Sequence, residues 1–247
     1  MVVGDFTTRV ETVIIGAGPG GYVAAIRAAQ LGQEVALIER DRLGGMCLNW
    51  GCIPSKALIE ISDLKHTIEN ASEMGIVASD VHVDVSKLQS WKDGIVDKLR
   101  NGVDSLLQKN GVDVIEGTAS FSEPGLLFVD ARDRLLRIEY ENVIIATGSR
   151  PKELSNFPVD GETIINIESA LSLQEIPEKF VILGAGSVGV EIGTVYAKLG
   201  SQVTIVEAQD QLFPDCEPEI GRILKKSIQS NSIDLRLGAV ADLKSLT

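Results

Sequence analysis

Hydrophobic positions fall into two blocks of the same plan, offset by 168 residues. In the first, ETVIIGAGPGGYVAAIRAAQLGQEVALIER, the apolar run Val13 to Ile15 meets a glycine turn. A helix of small residues follows, then a second apolar run from Val35 to Ile38 that ends at Glu39. In the second, KFVILGAGSVGVEIGTVYAKLGSQVTIVEA, the runs are Val181 to Leu183 and Val203 to Val206, ending at Glu207. Each block predicts a strand, a turn, a helix and a second strand. Between the blocks, Pro54 to about Ala71 and Ser86 to about Asn110 carry apolar residues at three and four spacing, for example Val96, Leu99, Val103, Leu106 and Leu107. These predict amphipathic helices that face a core. Short β-type runs at 112–115, 126–129 and 135–138, with the turn signal Glu123-Pro124-Gly125, predict a small antiparallel excursion. A run expected to be buried, Val143 to Ala146, leads into Thr147-Gly148-Ser149-Arg150-Pro151, and the proline-containing stretch to Pro158 is the expected linker. A last strand is expected over 233–237. The fold class predicted is α/β, with two Rossmann-like dinucleotide-binding domains at 1–148 and 149–247, the second incomplete at its end.

The glycines have distinct tasks. Gly16, and Gly184 in the repeat, permit the tight turn. Gly18 and Gly186 let backbone approach a pyrophosphate, while Gly21 and Gly189 let the helix pack close to the strand. Backbone N–H groups at the helix start can then hold phosphates without a lysine. Glu39 and Glu207 each follow the middle glycine by 21 residues, where a carboxylate accepts hydrogen bonds from adenosine ribose hydroxyls. A 2′-phosphate would be repelled there, so both sites favour FAD or NAD over NADP.

Composition narrows the function classes. The 247 residues carry a net charge of -12, which disfavours nucleic acid as a partner. No apolar run approaches the roughly 20 residues of a membrane span, and the opening MVVGDFTTRV has no secretory pattern, so a cytoplasmic protein without membrane association is expected. Three cysteines and two histidines, with no C-x-x-C pair, give neither a structural zinc site nor a disulfide scaffold, and no metal is expected.

The segment GGMCLNWGCIPSKA, residues 44–57, is the second chemical signal. An ideal helix would hold the Cα atoms of Cys47 and Cys52 roughly 8 to 9 Å apart, beyond the 7 Å limit for a disulfide. Bonding them requires a bend, for which Gly51 and Pro54 are suited. Pro54 fits the first turn of the following helix, whose N-terminus would stabilise a thiolate on a nearby cysteine. Spacing alone leaves a redox pair and two buried thiols without chemistry both open.

Taken with the glycine blocks, this cysteine motif resembles the flavoprotein disulfide reductase family, its dihydrolipoyl dehydrogenase branch above all. The resemblance covers the whole chain, Ala146-Thr147-Gly148 and Glu191 included. It implies FAD on the first block, NAD on the second, and a Cys47–Cys52 disulfide against the flavin. Cys47 would be the interchange thiol that meets substrate, and Cys52 the one in electronic contact with the flavin. It further implies a Lys56–Glu191 ion pair beside flavin and nicotinamide, where a cation favours the reduced anionic ring. Gly117 matches a glycine where backbone passes the adenine, and Thr147, Gly148 and Ser149 a segment touching FAD. The partner implied is a lipoyl-bearing subunit or domain of a 2-oxoacid dehydrogenase complex, and full-length members are homodimers.

Several positions depart from the family pattern. Met46 replaces a usual threonine and Trp50 a small aliphatic residue, the latter adding bulk between the two cysteines. His66 and His82 match no catalytic position, and Cys216 sits as a bystander in a loop before a helix. The residues reach about half of the family's pattern: the later Gly-Asp segment of the FAD site and the C-terminal dimer domain, with its His-Glu acid/base pair, fall beyond Thr247. Little or no dihydrolipoyl oxidation is therefore expected of these residues alone. The alternatives weighed are a non-catalytic nucleotide-binding or interaction module, and another reductase of the same motif, such as mercuric reductase.

Overall fold

The computed structural model describes residues 7–213 and 216–243. In chain order the elements are β1 (Thr7–Ile15), α1 (Pro19–Gln30), β2 (Val35–Glu39), α2 (Gly45–Trp50), α3 (Cys52–Asn70), α4 (Val85–Lys109), β3 (Asp113–Glu116), β4 (Thr118–Glu123), β5 (Leu126–Ala131) and β6 (Arg134–Ile145). After them come α5 (Ile167–Ala170), β7 (Lys179–Leu183), α6 (Ser187–Leu199), β8 (Gln202–Glu207), α7 (Pro218–Ser230) and β9 (Asp234–Leu237). The chain forms two compact units that are not contiguous in sequence. One takes residues up to Ile53 and Gly94–Arg150, the other Pro54–Asp93 and Pro151 onward. The stretch 54–93 thus packs with the later residues, so that α4 changes unit at Gly94.

The first unit is built on a six-stranded sheet of order β3-β2-β1-β6-β5-β4, parallel from β3 to β6 and antiparallel from β6 to β4. Its central strand is apolar on both faces, as parallel strands covered on both sides require. Val13 and Ile14 are fully buried and point opposite ways. Ile14 joins Leu37, Val96, Val103 and Leu107, whereas Val13 joins Ile38, Leu127, Val129 and Ile138.

Three details differ from the sequence pattern. The strand β4 was not foreseen, because TASFSE has a single large apolar residue and owes its conformation to pairing with β5. The runs at 135–138 and 143–146 fuse into one strand through the polar Glu139–Asn142, since β6 is held along its length by β1 in a register that sets Arg9 against Glu139 and Thr12 against Asn142. The expectation of a buried run at Val143–Ala146 is corrected: Ile144 is 39% and Ile145 64% exposed. A central place in a sheet protects a strand's backbone edges, not its faces.

The second unit carries a parallel sheet β7-β8-β9. Its core gathers Leu58, Leu88, Leu171, Val195, Tyr196, Ile205 and Ile228. Polar side chains fix the carbonyls at and just after the end of α5. The Tyr196 hydroxyl donates to Ala170 O at 2.5 Å, the buried Lys92 ammonium to Leu171 O at 2.9 Å, and the Gln89 amide to Leu173 O at 2.9 Å. Burial pushes the Tyr196 phenol up to about 12. Among the described residues no helix is long and apolar enough to cross a membrane.

Candidate functional site

Both glycine turns have the same construction. Gly16 and Gly184 adopt φ of 98° and 106°, a region open to glycine. The third glycine of each motif is a packing requirement. A Cβ on Gly21 would lie 1.7 Å from Gly16 O, and one on Gly189 2.1 Å from Gly184 O. The middle glycine is different in kind. Around Gly186 a Cβ would meet nothing within 4 Å, and around Gly18 only the Gly45 Cα at 3.9 Å. These residues are the N-caps of α1 and α6, extended at ψ -177° in both, and no side chain caps either helix. Open space before an uncapped helix start fits the pyrophosphate of a dinucleotide in each unit.

The acidic residues at the strand ends hold these turns in place. Glu39 accepts from the Ala17 N–H at 2.7 Å and the Asp41 N–H at 2.9 Å, and Glu207 from Ala185 at 2.7 Å and Gln209 at 2.9 Å. Each carboxylate oxygen keeps a further lone pair that can take a ribose hydroxyl. Gly117 lies beside this point in the first unit, its N–H donating to Glu39 O at 2.8 Å. It must be glycine because a Cβ would stand 2.7 Å from Asp130 O. Ala146 N–H donates to Ile15 O at 2.8 Å, which places the exposed Thr147, Gly148 and Ser149 past the end of β6, next to the Gly16 turn at the end of β1. Gly16, Gly18, Glu39, Gly117 and Thr147–Ser149 therefore gather at the carboxyl ends of β1, β2, β3 and β6, where open α/β sheets bind ligands.

The cysteine segment is attached to the same turn. Gly44 N–H donates to Ala17 O at 2.9 Å, and Gly45 is so close to Gly18 that a Cβ would fall 2.6 Å from its Cα. The chain then forms α2, breaks at Gly51 with φ -142° and ψ -108°, and restarts as α3 at Cys52. This break supplies the bend that five-residue spacing demands: the Cys47 and Cys52 Cα atoms are 4.6 Å apart and the two are joined in a disulfide. Cys47 is half-buried, and Cys52 is exposed in the first turn of α3, where Pro54 is buried. Trp50 ends α2 with the Arg42 guanidinium 5.6 Å from its ring centroid.

Sequence reasoning did not anticipate the role of Asn49. It is 8% exposed, and its amide donates to Leu43 O and Gly45 O, both at 2.9 Å. Its carbonyl oxygen accepts from Arg100 at 3.4 Å, and Arg100 is in turn held by Asp97 at 2.6 Å. A polar residue between Leu48 and Trp50 in a short apolar segment was the available sign.

In the second unit the Lys56 ammonium bridges both oxygens of Glu191 at 2.7 Å. With side chains 58% and 39% exposed, this pair contributes little to stability, so folding does not account for its presence. His66 and His82 are exposed, on α3 and in the loop before α4. Cys216 is exposed and unbonded, while Pro214 and Asp215 of its loop lie outside the described residues. Among the described residues no cluster of three His, Cys, Asp or Glu could hold a metal ion.

A family model described as pyridine nucleotide-disulphide oxidoreductase matches residues 10–245. Dihydrolipoyl dehydrogenase 2 of Haloarcula marismortui is 46% identical over 245 residues, 98% of this chain and 52% of that protein. The dihydrolipoyl dehydrogenase of Geobacillus stearothermophilus is 45% identical over 241 residues, 98% and 51%. Among solved structures, LpdA from Mycobacterium tuberculosis matches with a TM-score of 0.85 at 28% identity, covering 95% of this chain and 52% of that one. The HOCl-induced flavoprotein disulfide reductase RclA from Escherichia coli gives 0.79 at 30% identity, with 94% and 50% covered. The chain spans about half the length of the curated relatives it matches.

Proposed function

Since the chain belongs to the pyridine nucleotide-disulphide oxidoreductase family, we propose that it carries the redox disulfide and both nucleotide sites of a dihydrolipoyl-oxidising flavoenzyme. The family uses FAD and NAD(H). On this proposal the FAD-binding domain lies within residues 1–148, of which 54–93 pack with the later residues, and binds through Gly16, Gly18, Gly21, Glu39, Gly117, Thr147 and Gly148, with Ser149 just past its end. Residues 149–247 form the NAD-binding domain, through Gly184, Gly186, Gly189 and Glu207. The observation that carries the reading is the Cys47–Cys52 disulfide on a segment hydrogen-bonded to the first glycine turn.

The residues act on thiols as follows. A substrate thiolate attacks the Cys47 sulfur, forming a substrate–Cys47 bond as the Cys47–Cys52 bond breaks, and Cys52 leaves as a thiolate. The start of α3 stabilises that anion. The second substrate thiol then attacks the substrate sulfur of the mixed disulfide and releases Cys47. Substrate has become a disulfide, and the cysteine pair holds its two electrons. Bound FAD supplies the route by which this pair reaches NAD as hydride. Lys56 holds positive charge near the acceptor end, and Glu191 fixes its ammonium in place. The dihydrolipoyl group would come from a lipoyl-bearing subunit of a 2-oxoacid dehydrogenase complex. A cytoplasmic setting suits a disulfide that is used catalytically.

The test is reconstitution with FAD, anaerobic addition of NADH, and thiol counting under denaturing conditions. One thiol, that of Cys216, is expected before NADH and three after. A protein left colourless by FAD, or a disulfide that NADH leaves intact, would overturn the proposal.

A further inference from the structure

We propose that Asn49 is the positioning residue that sets the thiol–disulfide equilibrium of Cys47 and Cys52. The inference rests on the redox reading of that pair and deepens it. Helix α2 has six residues, too few to persist on its own backbone hydrogen bonds. Its N-cap, Gly44, is left-handed at φ 93° and offers no side-chain cap. In the oxidised chain the disulfide staples the helix to the start of α3. Once the bond is reduced, that staple is gone and other contacts must keep the Cys47 sulfur near its partner.

Asn49 is the side chain placed to do this. Its two donors reach back to Leu43 O and Gly45 O, closing the helix end onto its own entry. Gly44 and Gly45 are themselves fixed on the glycine turn. Asn49 thus ties the redox helix to the glycine turn at the end of β1. Arg100, held by Asp97, occupies the Asn49 carbonyl oxygen and so sets the amide with its donors toward the two carbonyls.

The sign of the effect follows from a cycle. Holding the dithiol in bonding geometry raises the effective concentration of one thiol at the other and so favours the disulfide. Without Asn49 the reduced segment relaxes, whereas the oxidised one stays constrained by its bond. Reduction becomes easier.

Two side chain–backbone hydrogen bonds of ordinary net strength correspond to about a ten-fold change in equilibrium constant. For a two-electron couple that is a potential about 30 mV less negative. The reaction to follow is protein disulfide plus two glutathione giving protein dithiol plus glutathione disulfide. One S–S bond breaks in the protein and one forms between the glutathiones, the two thiol protons passing to the protein sulfurs.

The chain and its Asn49→Leu variant are equilibrated in glutathione buffers of graded ratio, quenched with an alkylating reagent and read by mass. The expected result is a constant shifted about ten-fold toward the dithiol, with far-ultraviolet circular dichroism unchanged. A shift under two-fold in the folded variant overturns the inference. If Asn49→Leu does not fold, Asn49→Ala, which has no hydrogen-bonding group to offer either carbonyl, is read by the same criterion. Should the parent pair fail to respond to any glutathione ratio, it is the redox reading of Cys47–Cys52 that falls, an outcome separate from a responsive parent with an unshifted variant.

Discussion

Glu207→Gln preserves the shape of the side chain at the end of β8 and removes its charge. The parent carboxylate accepts from Ala185 N–H at 2.7 Å and Gln209 N–H at 2.9 Å. An amide can accept only one of these on its oxygen, and its NH2 group then opposes the other N–H, donor against donor. One charge-assisted bond is lost and the other is weakened, a change of about 1.5 to 3 kcal/mol. Because both bonds fix the turn that begins α6, that energy is withdrawn from the preorganised phosphate cradle. NADH affinity should fall about ten- to a hundred-fold. NADPH should lose less, since the charge that repels a 2′-phosphate is gone, and the preference for NADH over NADPH should narrow. Fluorescence titration of both nucleotides against parent and variant measures this directly. An NADH affinity within two-fold of the parent's, in a variant of equal thermal stability, would show that this carboxylate neither builds the turn nor meets the nucleotide.

The glycines of the second unit separate packing from binding. Gly189→Ala should cost about 3 kcal/mol because its Cβ would stand 2.1 Å from Gly184 O. Gly186→Ala should melt close to the parent and lose NADH affinity; thermal unfolding with NADH titration checks both, and equal melting of the two variants would contradict the assignment. Tyr196→Phe should destabilise by about 1 to 2 kcal/mol at pH 8 by leaving Ala170 O without its partner. A folded value raised from 10.0 to about 12 means that the hydroxyl's stabilisation is full below pH 10 and is lost as pH rises to about 12, so the gap between parent and variant should close over that window in chemical denaturation curves. Lys56→Met should leave thermal stability within about 1 kcal/mol, because the Glu191 pair is exposed, yet slow NADH-dependent reduction of the disulfide about 10²-fold. Unimpaired reduction would remove Lys56 from the site.

The two βαβ blocks were legible because three independent signals coincide in each: the apolar run, the glycine spacing and the acid at the next strand's end. Their hydrogen bonds are not, and the carboxylate bonds to the turn are visible only in space. The break at Gly51 could be inferred because an unbroken helix cannot bring Cys47 and Cys52 within bonding range. Helix α2 itself could not, since six residues without a period carry no helical signal and the segment is held by Asn49 and the glycine turn. The strand β4 and the polar middle of β6 were hidden for a related reason, as ladder hydrogen bonds to neighbours distant in sequence impose the conformation. Lys56 and Glu191 were paired by family resemblance alone, being 135 residues apart.

The register of the first sheet has a consequence for how the chain is made. Strand β1 pairs on one side with β2, close in sequence, and on the other with β6, where every partner lies 130 residues later, as Thr12 does from Asn142. At a synthesis rate of about 5 to 20 residues per second, β1 waits roughly 6 to 26 s for that neighbour to be translated. Until then the β6 side of β1 is an unpaired backbone edge on an apolar strand, open to pairing with any other emerging chain. Newly made protein should therefore need chaperone shelter until β6 appears. Slower translation of residues 16–133 should increase aggregation, whereas slowing after residue 150 should not.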